Sequence, residues 1–457
     1  MAAMQWEKLF SKKRFEAQTK EHETDESVRG EFQRDYDRIV FSSAFRRLQN
    51  KTQVMPMPES DFVHTRLTHS LEASCVGRSL GRIVGKSIVE KYPELSGSKK
   101  ILDSDFGDAV AAACLAHDIG NPPFGHSGED AISAYFQSSE AAPFMRSLSE
   151  GQKADLQRFE GNAAGFRILT HTYPAQCDMA GGLRLTYTTL ATFTKYPKES
   201  VPHFPGSRFC SEKKYGFFQS EKERFNNIAA ELGLLRKSSE SGVFFHRHPL
   251  AFLVEAADDI CYRIVDFEDG CKLGLIPATE GKALLKELLE EPPGKVSRIH
   301  FSDWREEIGF LRARIIGKLI AEAAEVFLLE EEAILGGRFD KALIGELSCK
   351  PALDEIKKLS IQKIYKNRPV LEIEAAGFEV LGGLLDAFLK AVFYPQEKRH
   401  QKLLDLIPDQ FLGLNRELSS SDYEKILNIT DFISGLTDQA AITLYRKIKG
   451  ISLPKMY

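Results

Sequence analysis

The chain lacks the marks of a secreted or membrane protein. Its seven cysteines, at 75, 114, 177, 210, 261, 271 and 349, are an odd number and form no CxxC pair. No disulfide framework is expected from them, and a reduced, cytoplasmic setting is. No uninterrupted apolar run approaches the ~18 residues that would span a bilayer. The first 26 residues are charged throughout and contain no apolar stretch of the kind that a secretory signal needs. A basic excess is missing as well: 61 Lys and Arg face 65 Asp and Glu, a formal charge of -4. No global field pulls such a chain onto nucleic acid, so any positive charge offered to an anionic ligand must be local. Repeats and low-complexity tracts are absent, and strand-like alternation is scarce.

What remains is an ordinary globular composition, 43% hydrophobic and 28% charged over 457 residues, with ample material for a large core. The helical period dominates. Apolar residues recur at i, i+3, i+4 and i+7 over 37–48, 68–91, 105–117, 249–267, 304–328, 376–393 and 423–436, which predicts an all-α fold. Prolines and glycines punctuate it at Pro56 and Pro58, Asn121-Pro-Pro123, Gly181-Gly182, the 197–206 stretch and Glu291-Pro-Pro-Gly294, the last read as a linker. Residues 138–245 are the least regular and predict short helices, long loops and one small hairpin. Gly77, Gly81 and Gly85 share one helical face and predict a close helix–helix contact. They also fall in a near match to a phosphate loop, rejected because Leu80 stands where its first glycine belongs and no strand precedes it. The acidic run 330–332 reads as a solvated helix face.

The chemistry is concentrated in a few of the 11 histidines and their neighbours. His69 lies in Arg66-Leu-Thr-His-Ser-Leu-Glu72. His117-Asp118 ends an apolar helix and runs into Ile-Gly-Asn-Pro-Pro-Phe-Gly-His126-Ser-Gly-Glu129. Asp258-Asp259 follows Ala256-Ala257 on another apolar helix. A carboxylate on a buried face needs a partner or a metal. Two His and two Asp make a mixed nitrogen and oxygen set, suited to Mg²⁺, Mn²⁺, Fe²⁺, Co²⁺, Ni²⁺ or Zn²⁺.

This H…HD…D pattern resembles the HD-domain metal-dependent phosphohydrolases. Longer blocks narrow the resemblance: Phe41-Ser-Ser-Ala-Phe-Arg-Arg-Leu-Gln49, Lys51-Thr-Gln-Val54, Arg158-Phe-Glu-Gly-Asn-Ala163, Gly216-Phe-Phe-Gln-Ser-Glu221, Ala257-Asp-Asp-Ile-Cys-Tyr-Arg263 and Gly435-Leu-Thr-Asp438. With the HDIGNPPFGHSGE stretch they are similar to the deoxyguanosine triphosphate triphosphohydrolase (dGTPase) family along nearly the whole chain. After about residue 300 the match is confined to short stretches such as Val370-Leu-Glu-Ile-Glu-Ala-Ala-Gly377.

The resemblance implies His69, His117, Asp118 and Asp258 as metal ligands, Mg²⁺ or Mn²⁺ first among the ions. Asp258 is preferred to Asp259 because Tyr262, a substrate contact, then falls one turn later. It implies His126 and Glu129 as an acid–base pair, Arg66 on phosphate, and Gln53 and Asp266 on the sugar. Arg46, Arg47, Lys51, Lys195, Lys213, Lys214 and Arg263 are further cation candidates. The implied architecture is an amino-terminal arm (1–35), an HD core (36–290, the ligands within 65–270) and a carboxy-terminal helical lobe (291–457) that completes the pocket and the subunit contacts. The implied activity is hydrolysis of dGTP, with other dNTPs as further substrates, to a deoxynucleoside and inorganic triphosphate in control of the dNTP pool. The expected partners are an activating nucleotide, single-stranded DNA and further copies of the chain (a hexamer or dimer), with no membrane. Arg184 stands where many relatives carry Asn, and Gln439 where many carry Arg, so altered contacts near the pocket or subunit interface are expected. Two other readings compete: a hydrolase of cyclic nucleotides or guanosine tetraphosphate, and a non-catalytic regulator that binds nucleotide or single-stranded DNA.

Overall fold

The computed structural model describes residues 3–15, 29–53, 64–97, 100–172, 182–237, 242–289 and 301–452. The helices that build the site are α1 (Glu31–Val40), α2 (Arg66–Lys91), α3 (Asp103–Ala116), α4 (Gly125–Gln137), α5 (Gly161–Thr170), α6 (Tyr187–Phe193), α7 (Pro249–Lys272), α8 (Trp304–Leu329), α9 (Arg368–Phe393), α10 (Asp422–Ser434) and α11 (Asp438–Ile448). Among the described residues no strand forms, so the fold is all-α. No helix of the described residues is long and apolar enough to cross a membrane.

Local chemistry sets the helix limits. A reciprocal cap opens α2: Thr65 Oγ1 accepts from the Thr68 amide and Thr68 Oγ1 from the Thr65 amide. Pro249 opens α7 at a position where a missing N–H costs nothing. The expected 37–48 helix is broken, because Ser42 leaves helical geometry and its hydroxyl caps a new turn by accepting from the Phe45 amide. Phe41 is left exposed at the break. Helix α9 begins eight residues before the expected Ala376, at a Pro369 that suits its first turn.

The glycine face makes the contact its spacing implied. A Cβ on Gly77 would stand 2.5 Å from Cys114 Sγ, one on Gly81 2.6 Å from the Phe106 carbonyl, and one on Gly85 2.7 Å from the Asp103 carbonyl. Only glycine lets α2 lie this close on α3.

Two readings of the sequence need correction. The hairpin expected between 138 and 245 shrinks to isolated bridges, Lys198 with Phe244 and Arg236 with Phe245. The edge that would extend it carries Pro197 and Pro202, which have no amide to donate, and the Val243 amide is taken by the Glu199 carboxylate. Nor is the acidic run solvated throughout: Glu331 is buried and accepts from Trp6 Nε1 (2.9 Å) and Lys91 Nζ (2.7 Å).

Buried apolar side chains form two clusters. One joins α1, α2, α3, α6, α7 and α8 with Trp6, Leu9 and Phe10 of the amino-terminal arm, which is therefore docked on the core. The other joins α4, α9 and α10 with Phe159, Ala163 and Ala164. Packing thus crosses the proposed division at 290/291, because α8 sits in the first cluster beside α7. The Glu291–Gly294 linker, Pro56, Pro58 and Gly181 lie outside the described residues.

Polar groups fasten the two clusters together. Arg167 on α5, 1% exposed, donates through Nε to Asp431 (2.8 Å), through Nη1 to Glu221 (2.7 Å) and through Nη2 to Asn428 (3.2 Å). Removing the guanidinium would strand two buried carboxylates. Arg167→Ala should therefore lower stability by about 3–5 kcal/mol, read as a fall in the urea midpoint of unfolding; a midpoint at the wild-type value would refute this account of the seam.

Candidate metal centre and adjoining pocket

Three helices bring the candidate ligands together. His69 lies in the first turn of α2, which its cap fixes. His117 follows the last residue of α3, and the two imidazole rings sit 5.2 Å apart between centroids. Asp258, in the middle of α7, completes the group: its Oδ1 is 3.2 Å from His69 Nε2 and 3.4 Å from His117 Nε2. Ligand atoms of His69, His117 and Asp258 all lie within 4.8 Å of one another. The neighbouring Asp259 is not part of this group.

The donor set fits a divalent cation. His117 Nδ1 lies 2.6 Å from the Cys114 carbonyl, which places a proton on that nitrogen and directs Nε2 to the site, where it has no hydrogen-bond partner. Burial opposes charge on His117, yet the Asp118 and Asp258 carboxylates more than reverse this and raise its pKa. A field that favours a proton there favours a metal cation too. Burial alone would raise Asp258, but Lys195, His117 and His69 hold it well below the usual carboxylate range. Lys195 Nζ donates to Asp258 Oδ2 at 2.8 Å.

Asp118, the fourth expected ligand, stands at the edge of the group. Its Oδ1 is 3.5 Å from His117 Nε2 and accepts from Asn121 Nδ2 at 2.6 Å, while its Oδ2 accepts from Arg66 Nη1 at 2.7 Å. Both oxygens are thus held by donors to one side of the His69–His117–Asp258 cluster.

Arg66 links that cluster to a cavity of about 260 Å³, lined by Thr52, Gln53, Arg66, Phe124, Gly125, His126, Tyr262, Tyr365, Val370, Ile373 and Glu374. Of the expected substrate contacts, Gln53, Arg66 and Tyr262 line it. Asp266 does not: it is fully buried behind the wall and accepts from the Tyr365 hydroxyl at 2.9 Å. Burial pushes Asp266 up to about 7. Among the described residues, the buried polar atoms without a hydrogen-bond partner around this region include Gln53 Oε1, Arg66 Nε, His69 Nδ1 and Asp266 Oδ1. Such atoms are costly in a folded chain unless a ligand or water meets them.

His126 and Glu129 are neighbours on the first turn of α4. His126 Nδ1 lies 2.7 Å from Glu129 Oε2, and Glu129 Oε1 accepts from the Gly161 amide at 2.6 Å. The hydrogen bond with Glu129 raises the His126 pKa. Burial would raise Glu129, but His126, Lys214 and the Gly161 amide outweigh it and keep the carboxyl below its ordinary value.

Several participants escaped the sequence reading. Tyr365 stacks on Tyr262 (5.4 Å between centroids, 7° between planes) from a π-helical turn at Ile361–Tyr365; no spacing signal marked it. Asn121 carried one, its place three residues after Asp118. Arg184 is not among the residues lining the cavity: its carbonyl accepts from Arg14, and it takes a left-handed conformation (φ 53°) beside α1. Gln439 is exposed and its side-chain amide donates to Thr443, whereas the adjoining Asp438 accepts from the Phe124 and Thr52 amides.

Comparisons with known proteins agree with this architecture. The HD domain family model matches residues 66–154, and a phosphohydrolase-associated domain matches residues 348–447. A deoxyguanosinetriphosphate triphosphohydrolase-like protein of Synechocystis sp. is 44% identical over 98% of this chain and all of its own length. One from Pseudomonas aeruginosa is 38% identical over 99% of this chain and all of its own. A deoxyguanosinetriphosphate triphosphohydrolase of Yersinia pseudotuberculosis is 31% identical over 91% of this chain and 93% of its own. The chain therefore belongs to the HD-domain phosphohydrolase family that comprises the deoxyguanosinetriphosphate triphosphohydrolases and their like.

Proposed function

We propose that the protein hydrolyses dGTP to deoxyguanosine and inorganic triphosphate, takes other dNTPs as further substrates, and so controls the deoxynucleotide pool. One observation carries the reading: Arg66 joins Asp118, beside a metal-type donor set, to a cavity that is also lined by His126 of a histidine–carboxylate pair. A divalent ion at His69, His117 and Asp258, with Asp118 beside them, would supply Lewis-acid stabilisation of negative charge on a phosphate oxygen. Mg²⁺ or Mn²⁺ is the ion proposed.

The chain's own residues do the rest. Arg66 Nε, buried and without an acceptor, meets a phosphate oxygen, and the Lys195 and Lys214 ammoniums add to the local positive field. His126, whose pKa Glu129 raises, is placed to give a proton to the departing 5′-oxygen as a water attacks the α-phosphorus. Glu129 holds the ring in place. The Tyr262–Tyr365 pair walls the deoxyribose, and Gln53 Oε1 accepts from its hydroxyl. Among the described residues lining the cavity, Glu374 is the one carboxylate. A carboxylate accepts from the paired N1–H and N2–H₂ of guanine, an edge that no other DNA base presents. An activating nucleotide, single-stranded DNA and an oligomer of the chain belong to the same proposal.

Each dNTP, alone and mixed, should be incubated with Mg²⁺ or Mn²⁺ and the products identified. Intact triphosphate and deoxynucleoside are expected. Pyrophosphate or a nucleoside monophosphate would instead indicate another HD phosphohydrolase chemistry, and no turnover under any mixture a binding protein. His126→Ala should lower kcat by about 10²- to 10⁴-fold. Because the proposed acid must carry its proton, wild-type activity should fall as pH rises through the His126 pKa, which Glu129 raises. Glu129→Gln removes the support and should move this alkaline limb to lower pH; an unmoved limb would refute the acid assignment. Glu374→Ala should narrow the kcat/KM gap between dGTP and dATP, measured by competition, and an unchanged ratio would exclude Glu374 from base recognition.

A further inference from the structure

Lys51 is a buried titratable group that the mechanism above does not use. It is 4% exposed, and among the described residues it has no carboxylate within ion-pair distance. Its ammonium donates instead to two main-chain carbonyls, Asn121 at 2.5 Å and Ser434 at 2.9 Å. Burial, with Arg47 and Arg66 nearby, outweighs the opposing pull of Asp438 and Asp118 and pushes it down to about 7. A stability-driven core would place an apolar side chain of similar volume here, since an ammonium with no carboxylate in contact is expensive to bury.

What the ammonium holds is specific. Asn121, gripped by its carbonyl, donates its side-chain amide to Asp118 Oδ1. Asp118 Oδ2 in turn accepts from Arg66, and the Arg66 amide donates to the Lys51 carbonyl at 3.3 Å. One residue therefore touches both ends of the Asn121–Asp118–Arg66 chain, through its main chain at one end and its ammonium at the other. The Ser434 carbonyl ties the same point to the end of α10.

We propose that Lys51 is a positioning residue, which sets the spacing between Asp118 at the metal centre and Arg66 in the cavity by holding the Asn121 main chain. The inference rests on the reading of that centre given under Proposed function. Groups behind a metal ligand typically change metal affinity or activity by about 10- to 100-fold, and Lys51 is assigned that scale.

The test uses the full-length protein and Lys51→Met, which keeps the stem and removes the charge. Expected are a thermal midpoint at or above wild type, kcat lower by at least about tenfold with KM within about twofold, and Mn²⁺ affinity, titrated calorimetrically, weaker by a similar factor. Asn121→Ala should reproduce the loss. The double variant should be no worse than either single one, because Lys51 acts through Asn121. Wild-type Mn²⁺ affinity and turnover in Lys51→Met would overturn the proposal. So would a loss that tracks a lowered thermal midpoint, or additive losses in the double variant. If the wild-type chain turns over no dNTP, the proposed function fails on its own account, and the Mn²⁺ comparison still decides the role of Lys51.

Discussion

The close antiparallel contact of α2 on α3 is the constraint on which the site depends. Three glycines on α2 remove the Cβ atoms that would strike Cys114, Phe106 and Asp103, and the two backbones run side by side along their length. Because the helices are antiparallel, the start of one meets the end of the other. His69, in the first turn of α2, thereby faces His117, just past the last turn of α3. Helix α7 packs on both and needs to supply only one carboxylate. A side chain larger than hydrogen on that face would separate the imidazoles before it disturbed any ligand directly.

The charge of -4 acquires a spatial meaning in this arrangement. Carboxylates and cations are not spread evenly; they are interleaved at the centre, Asp258 against Lys195 and Asp118 against Arg66. Burying so many ions is a poor way to stabilise a fold, since desolvation offsets much of the attraction. It is a good way to hold opposite charges ready for a ligand that carries both a cation and phosphate groups. The polar atoms left without partners at Gln53, Arg66 and Asp266 point the same way, because a core selected for stability alone would have paired or removed them.

Much of this was legible in the sequence, for reasons that differ by residue. The long helices announce themselves by their period, and the HD stretch places a histidine, a carboxylate and a following pair, His126 and Glu129, within 13 residues, where local geometry decides their relation. The choice of Asp258 over Asp259 as a candidate ligand comes from the resemblance, which puts Tyr262 one turn later on the same helix. Non-local relations were harder. Tyr365 lies 103 residues beyond Tyr262 and meets it only because a π-helical turn ends there. Asp266, a sugar contact by the resemblance, is buried outside the cavity lining and accepts from the Tyr365 hydroxyl, a partner 99 residues away. Glu331, one of three consecutive acids, is buried by a tryptophan and a lysine that the sequence places far away. Arg184 sits in a segment whose neighbours come from the amino-terminal arm and α1, so its absence from the cavity lining could not be read from its block.

The carboxy-terminal helices matter to the site through a handful of polar contacts. Asp438, buried at the start of α11, accepts from the amides of Thr52 and Phe124, and these residues flank Gln53 on one side of the cavity and His126 on the other. Val370, Ile373 and Glu374 of α9 close the opposite wall. Phe124, whose ring lies where a Cβ on Gly377 would fall, belongs to the second apolar cluster although the His126–Glu129 pair follows it closely in the chain. The metal-type ligands thus come from one cluster, while the cavity's far wall and the anchoring of the His126 segment come from the other. Such a cavity cannot be assembled by the residues around the HD motif alone, and its shape should respond to whatever shifts one cluster against the other. Among the described residues, the Arg167, Asp438 and Lys51 contacts are placed to resist that shift.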